Sequence, residues 1–174
     1  DEIVVVGAHY DSLPGTVGAN DNATGVAALL SLANRFVGSK NERTLRFVAF
    51  VNEEPPYFQT EDMGSRRYVE KLKKRGDDVV DIICLETMGY FSDEEGSQQY
   101  PAGLAERYPS KGNFIALVSN PSSSALLEDS AAAFRSATDF PYEVGVFTPD
   151  LAGVSHSDHW SFWEAGYPAI MITD

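Results

Sequence analysis

The chain has 174 residues, a formal net charge of −13 and 43% hydrophobic residues. This length fits one domain with a buried core. The acidity argues against nucleic acid as a partner, because phosphate binding needs a basic surface. No apolar run in the sequence is long enough to cross a bilayer, so we expect no membrane-spanning segment.

Short apolar runs alternate with helical patterns along the whole chain. In order, the sequence predicts strand Ile3–Ala8, helix Ala23–Val37, strand Thr44–Val51, helix Thr60–Arg75, strands Val79–Leu85 and Phe114–Val118, helix Pro121–Ala137, strand Tyr142–Phe147, helix His159–Ala165 and strand Ala169–Thr173. Strands that alternate with helices predict an α/β fold, in which a mostly parallel, mixed sheet carries helices on both faces.

Two further features follow from the same pattern. Cys84, the one cysteine, lies inside the apolar run Val79–Leu85, which predicts a buried small hydrophobe rather than a nucleophile. The segment Tyr90–Gly112 is rich in Tyr, Gly and Pro and forms a long loop. Loops of this length are often functional, so we expect this one either to line a pocket or to cover the surface.

Metal-binding side chains recur where predicted strands end or helices begin. These candidate ligands are His9, Asp21, Glu54, Glu86 and His159. Open α/β sheets bind ligands in the crevice at the carboxyl ends of their strands. The shared placement of these residues therefore predicts a binuclear metal site at one edge of the sheet.

Each candidate also has an ordinary interpretation. Asp21 has the chemistry of a helix N-cap, Glu86 stands where a buried strand emerges, and His159 stands at the start of a short helix. The metal-site hypothesis rests on their joint occurrence at one sheet edge. No nucleophile elbow, phosphate-binding glycine loop or Cys-x-x-Cys motif competes with it.

Two more acids have predicted roles beside these ligands. Glu53 directly precedes Glu54, so one carboxylate of the pair can hold metal while Glu53 stays free as a general base. Asp11 follows His9 by two residues. A metal-bound histidine usually donates its second ring N–H to a carboxylate, and we expect the Asp11 carboxylate to accept it.

The order and spacing of five segments resemble the M28 family of zinc aminopeptidases over nearly the whole chain. The segments are Val6-Gly7-Ala8-His9-Tyr10-Asp11-Ser12, Gly18–Gly25, Asn52-Glu53-Glu54, Met63-Gly64-Ser65 and Ser157-Asp158-His159. The resemblance implies the zinc-exopeptidase (phosphorylase/hydrolase-like) fold and hydrolysis of the first peptide bond of peptides that have a free N-terminus.

The resemblance also implies two zinc ions, for which cobalt or manganese could substitute at nitrogen and oxygen ligands. One ion would take His9 and Glu86, the other Glu54 and His159, with Asp21 bridging both. Glu53 would be the general base and Asp11 the partner of His9. Family members commonly have a non-proline cis peptide after the bridging Asp, which here is Asp21–Asn22.

The chain departs from the family pattern at its ligands and at its ends. Glu86 stands where many relatives have Asp, and family members normally continue beyond both ends of this sequence. We therefore expect residues 1–174 to be a single catalytic peptidase domain and a fragment that lacks the N- and C-terminal family segments. An extracytoplasmic location is implied by the resemblance alone.

Three alternatives stay open on the sequence. The first is a glutaminyl-cyclase-like acyltransferase, which shares the fold but typically works with one zinc ion. The second is a non-catalytic binding domain of the same fold, and the third is a carboxypeptidase or other di-zinc hydrolase. The sequence also leaves open the preferred N-terminal residue and the oligomeric state.

Overall fold

A computed structural model describes residues 1–101 and 103–174 as a β-sheet with helices on both faces. In chain order the elements are β1 Ile3–His9, α1 Ala23–Phe36, β2 Thr44–Phe50, α2 Gly64–Arg75, β3 Val79–Leu85, β4 Ile115–Ser119, a 3₁₀ turn Pro121–Ser123, α3 Ser124–Ala137, β5 Tyr142–Val146, α4 His159–Glu164 and β6 Ala169–Thr173. The predicted α/β fold is confirmed. Among the described residues, no helix combines the length and apolar character that crossing a membrane requires.

The strands lie in the order β2-β1-β3-β6-β4-β5 within the described part of the chain. Neighbouring strands are parallel except for β4 and β6, which are antiparallel. The carboxyl ends of β2, β1, β3 and β6 therefore meet at one edge of the sheet. Strands β4 and β5 run the other way, so their amino ends lie at that same edge.

Alternating side chains of the strands pack against helices on opposite faces. Val6 and Ala8 of β1 contact the α1 layer, which includes Leu29. Val5 of the same strand belongs to the opposite cluster, which contains Leu72 of α2 and Phe162 of α4. This two-sided burial explains why the sequence of β1 is continuously apolar. Helix α3 packs on the same face as α1, because their clusters share Ile83 and Ile172.

Cys84 lies fully buried in the core between the sheet and the α2–α4 layer. It is a free cysteine, and burial raises its pKa well above the ordinary value, with nearby carboxylates such as Asp158 and Glu86 adding to the effect. A buried thiol held in its neutral form packs as a small hydrophobe, as the sequence predicts.

Helix α2 begins at Gly64 rather than at the predicted Thr60. The Thr60 hydroxyl donates to the carbonyl of Tyr57 at 2.6 Å, which makes a separate turn before the helix. The Gly64 N–H donates to the Val51 carbonyl at 2.8 Å. A Cβ atom at Gly64 would lie 2.3 Å from that oxygen, so glycine permits the close approach. The start of α2 is thereby held against the chain leaving β2, just before Glu53.

Candidate metal centre

Three of the predicted ligands come together at the carboxyl edge of the sheet. Ligand atoms of His9, Asp21 and Glu86 all lie within 4.8 Å of one another. His9 Nε2 lies 3.2 Å from Asp21 Oδ1 and 3.2 Å from Glu86 Oε2. His9 and Glu86 are buried, whereas Asp21 is exposed at the surface. The group therefore has a buried side and a side that faces solvent.

Asn22 fixes the carboxylates of Asp21 and Glu86 relative to each other. The sequence pattern did not predict this role. Its Oδ1 accepts hydrogen bonds from Gly25 N at 3.0 Å and Thr87 N at 3.1 Å, and its Nδ2 donates to Leu85 O at 2.9 Å. Asn22 thus caps α1 and binds both backbone groups that flank Glu86. The peptide bond Asp21–Asn22 is cis, as the family resemblance predicted. Asn22, and not Asp21, is the helix N-cap.

The prediction for Asp11 needs a correction. The Nδ1 atom of His9 donates to the main-chain carbonyl of Asp11 at 3.1 Å, whereas the Asp11 carboxylate lies 3.7 Å away. That carboxylate instead accepts hydrogen bonds from the backbone N–H groups of Glu53 at 3.3 Å and Glu54 at 3.1 Å. Because a main-chain carbonyl accepts from Nδ1–H, Nε2 of His9 is the atom directed at the carboxylates.

Glu53 is a buried acid beside the three-residue group. Its Oε2 lies 3.8 Å from His9 Nε2. Burial raises the pKa of Glu53 to about 8. The positive charge of His9 lowers this pKa, whereas the negative charges of Asp158, Glu86 and Glu54 raise it further. A carboxyl group with a pKa near neutrality can both accept and release a proton at physiological pH.

Glu54 lies apart from the close group. Its Oε1 accepts a hydrogen bond from Leu13 N at 2.8 Å, which turns one carboxylate oxygen toward the loop after β1. Its pKa is raised by partial burial and then by the charge of Asp21.

The structure does not bring His159 to the other predicted ligands. His159 is the first residue of α4 and is fully buried, and its Nε2 donates to the Val154 carbonyl at 2.7 Å. The ring packs edge-on against Trp163, with centroids 4.4 Å apart. Burial lowers its pKa to about 4, against the effect of the hydrogen bond to Val154, so the ring is neutral. The sequence placed His159 correctly at a helix start, but this ring supports the 154–159 segment.

The charges of the group favour a cation at its centre. Burial alone would lower the pKa of His9. The opposite effect is larger, because His9 forms hydrogen bonds to Asp21 and Glu86 and lies near the charges of Glu86 and Glu53. The pKa of His9 is therefore far above its ordinary value of 6.5. The same carboxylates that hold a proton on the imidazole would attract a divalent ion. One imidazole nitrogen with carboxylate oxygens is a ligand set that fits zinc, and it also fits cobalt or manganese.

A cavity of about 390 Å³ adjoins the group and includes Asp21 and Glu86 in its wall. The long loop before β4 contributes Tyr100, Leu104 and Tyr108 to the lining. The apolar floor comes from strands β4 and β6 and from the segment after β5, with Val118, Met171 and Phe147. Of the two expectations for the Tyr90–Gly112 loop, lining a pocket is therefore the one that the described residues support. His156, which the sequence analysis left without a role, also lines this cavity.

Comparison with known proteins shows that the whole chain matches one protein family. The family model described as Peptidase family M28 matches residues 1–174. The uncharacterized protein YfbL of Escherichia coli K12 is 37% identical over 182 residues, covering 99% of this chain and 55% of that protein. Aminopeptidase YwaD of Bacillus subtilis is 38% identical over 74 residues, covering 42% of this chain and 15% of that protein.

Solved structures share the fold. The zinc aminopeptidase BSAP from Bacillus subtilis superimposes with a TM-score of 0.69 at 28% identity, covering 98% of this chain and 35% of that chain. This chain thus spans about half, or less, of the length of the relatives it matches.

Replacing Asn22 tests its role in holding the carboxylates. Asn22→Ala should lower the free energy of unfolding by about 1 kcal/mol or more through the lost cap, and it should weaken zinc binding about 10-fold or more because Glu86 loses its backbone support. The matched control is Asn120→Ala, which removes another N-cap asparagine that accepts from Ser123 N, away from the ligands. Chemical denaturation and chelator competition measure the two effects. Equal zinc affinities in both variants would contradict the assignment.

The raised pKa values predict how stability depends on pH. In the folded metal-free protein, the pKa of His9 lies far above 6.5, that of Glu53 is about 8 and that of Asp158 about 7. Between pH 6.5 and 8 the folded state therefore binds more protons than the unfolded state, and stability falls as pH rises. Calorimetry of EDTA-treated protein should show Tm decreasing across this range. Zinc takes the place of the His9 proton, so the stabilisation by zinc should grow over the same range. A rising Tm in EDTA would refute the prediction.

Proposed function

Because this chain belongs to peptidase family M28, we propose that it carries the catalytic centre of a zinc aminopeptidase. The reaction is hydrolysis of the first peptide bond of peptides that have a free N-terminus. Relatives and structural neighbours named as aminopeptidases favour peptide hydrolysis over acyl transfer. We extend the proposal to residues 1–174 as a single catalytic domain and to an extracytoplasmic location.

One observation carries this proposal: a three-ligand group and a buried acid share one site. His9, Asp21 and Glu86 offer ligand atoms within 4.8 Å, and Glu53 Oε2 lies 3.8 Å from the imidazole nitrogen of that group. A cation held by the three ligands would therefore lie close to a carboxyl group that is not needed to bind it. Metal-assisted hydrolysis requires this pairing of ion and base.

We assign the ligands as follows. His9, Asp21 and Glu86 would hold the first ion. A second ion would be held by Asp21 and by Glu54, whose carboxylate keeps one oxygen free of the hydrogen bond to Leu13 N. His159 stays outside this ligand set, because its Nε2 already serves the Val154 carbonyl. Zinc is the ion that the family resemblance and the ligand chemistry favour.

When bound, zinc supplies Lewis acidity and lowers the pKa of an attacking water. Glu53 would accept the proton of that water and deliver it to the departing amine, since its carboxyl group lies beside the three ligands and is not needed as one of them. The Asp11 carboxylate holds the backbone of Glu53 and Glu54 and so positions the base. Binding of the substrate's free amino group beside the metal ligands would restrict cleavage to the first residue.

The adjoining cavity gives the substrate a place beside the ligands. Its wall contains Asp21 and Glu86 together with apolar side chains of the loop before β4. A peptide whose amino group lies near Asp21 can extend a side chain into this cavity. The loop therefore contributes to substrate binding while the sheet edge contributes the chemistry.

Metal stoichiometry is the first test of this proposal. Elemental analysis of protein equilibrated with zinc should give about two ions per chain, and Asp21→Ala should bind one ion or none because it removes the shared ligand. Asp129→Ala, which changes an exposed acid on α3, should keep the wild-type value. Absence of bound zinc in the wild-type protein would refute the proposed function.

Glu53→Gln separates binding from chemistry. This variant should keep its zinc and lose about 10²-fold or more in kcat on aminoacyl p-nitroanilide substrates, because the base is removed but no ligand is. Glu61→Gln, an exposed acid after β2, is the control and should retain activity. Wild-type kcat in Glu53→Gln would rule out Glu53 as the base.

A further inference from the structure

Glu86 has a hydrogen-bond partner that the proposed chemistry does not use. The Ser157 hydroxyl donates to Glu86 Oε2 at 2.7 Å, and both side chains are buried. The same oxygen lies 3.2 Å from His9 Nε2. One carboxylate oxygen of Glu86 therefore faces a serine hydroxyl on one side and the imidazole on the other.

Metal binding would leave only one of these two partners as a donor. His9 Nε2 can carry a proton toward Glu86 or bind a metal ion, but it cannot do both. Once the nitrogen binds an ion, its hydrogen bond to Glu86 is lost. The bond from Ser157 does not involve a ligand atom of His9, so it persists in the metal-bound state. Ser157 is thus suited to hold the Glu86 carboxylate while that carboxylate binds an ion.

Ser157 is itself held in place by the segment that precedes α4. His159 Nε2 donates to Val154 O at 2.7 Å, which closes the 154–159 segment around Ser157. The carbonyl of Ser157 accepts from Trp160 N at 3.2 Å. These bonds fix the backbone on both sides of Ser157, so its hydroxyl is a fixed donor for a ligand that has several rotatable bonds.

The backbone of Glu86 is equally well fixed, which leaves the side chain as the part that needs support. Its N–H donates to Ile172 O at 2.9 Å in the sheet, and Asn22 binds the flanking groups of Leu85 and Thr87. A glutamate side chain keeps rotational freedom beyond such an anchor, and ordering it on metal binding costs entropy. A hydrogen bond that orders the carboxylate beforehand reduces this cost.

We propose that Ser157 is a positioning residue for the ion bound by His9, Asp21 and Glu86. Its hydroxyl fixes the carboxylate plane of Glu86 and occupies one lone pair of Oε2, so the ion meets the remaining lone pairs in a set orientation. This inference rests on the proposed function, because it takes the same three residues as metal ligands. It assigns to the 154–159 segment a role in metal affinity and coordination geometry.

The test compares two serines that are both buried and lie two residues apart. Ser157→Ala should weaken zinc binding about 10-fold or more, as removal of a hydrogen-bond partner of a metal ligand typically does. Ser155→Ala also removes a buried hydroxyl, but one that serves Pro149 O and no ligand, so it should bind zinc as the wild type does. Chelator competition at fixed pH gives the affinities. Ser157→Gly is a second deletion of the same hydroxyl and should match Ser157→Ala.

Two further measurements distinguish positioning from a general loss of structure. The visible spectrum of the cobalt-loaded protein should change in Ser157→Ala and stay unchanged in Ser155→Ala, because the spectrum reports the ligand geometry. Glu86→Asp draws the carboxylate away from Ser157 by one methylene. Adding Ser157→Ala to Glu86→Asp should therefore cause little further loss of zinc affinity, whereas independent effects would add.

The outcomes separate this inference from the function on which it rests. If the wild type binds zinc and Ser157→Ala and Ser157→Gly bind it equally well, the inference is overturned and the proposed function stands. Additive effects of Ser157→Ala and Glu86→Asp would also overturn it. If the wild type binds no zinc, both the inference and the proposed function fall.

Discussion

The three hydrogen bonds of the Asn22 side chain are the constraint on which the candidate metal centre depends. They join the first turn of α1 to the peptide groups on either side of Glu86. Asp21 precedes Asn22 directly, so the same contacts fix Asp21 against the end of β3. His9 does not depend on hydrogen bonds of this kind, because it is the last residue of β1, which pairs with both β2 and β3. Three ligands from three separate elements thus gain a defined geometry from the sheet and one buried amide.

Negative charge is concentrated at the carboxyl edge of the sheet. There the buried carboxylates act differently from the solvated acids on the surface. Elsewhere the excess acidity of the chain is compatible with a solvated exterior. At the centre, burial removes water from Glu53 and Glu86, and the imidazole of His9 supplies the compensating charge as a proton. Proton and metal compete for the same nitrogen, so the balance between them is set by the surrounding carboxylates.

Much of this arrangement could be predicted from the sequence, because strand ends are readable from apolar runs and the ends of parallel strands share an edge. His9 and Glu86 were predicted in this way and Asp21 from its place before a helix, and the structure brings the three side chains together. The direction of a side chain at such an end is not encoded in the pattern. His159 stands where a ligand was expected, but its ring is drawn into the core by Trp163 and the Val154 carbonyl. For Asp11, the sequence could not show that the main chain, rather than the carboxylate, accepts from His9. Asn22 and Ser157 lie in segments that carry the family resemblance, but the pattern could not show their hydrogen bonds to residues far away in the sequence.

The reversed direction of β4 has a consequence for how this centre could diversify. Strand β3 ends at the sheet edge that carries the candidate ligands, and β4 begins at that same edge, so the chain between them never has to cross the sheet. The segment between β3 and β4 therefore does not need a particular length to connect the two strands. This connection supplies Tyr100, Leu104 and Tyr108 to the cavity wall and none of the proposed metal ligands. Under the proposed function, insertions or substitutions there would reshape which peptides are accepted while the proposed ligands and base stay constant, so selection on substrate preference and selection on catalysis could act on separate stretches of the chain.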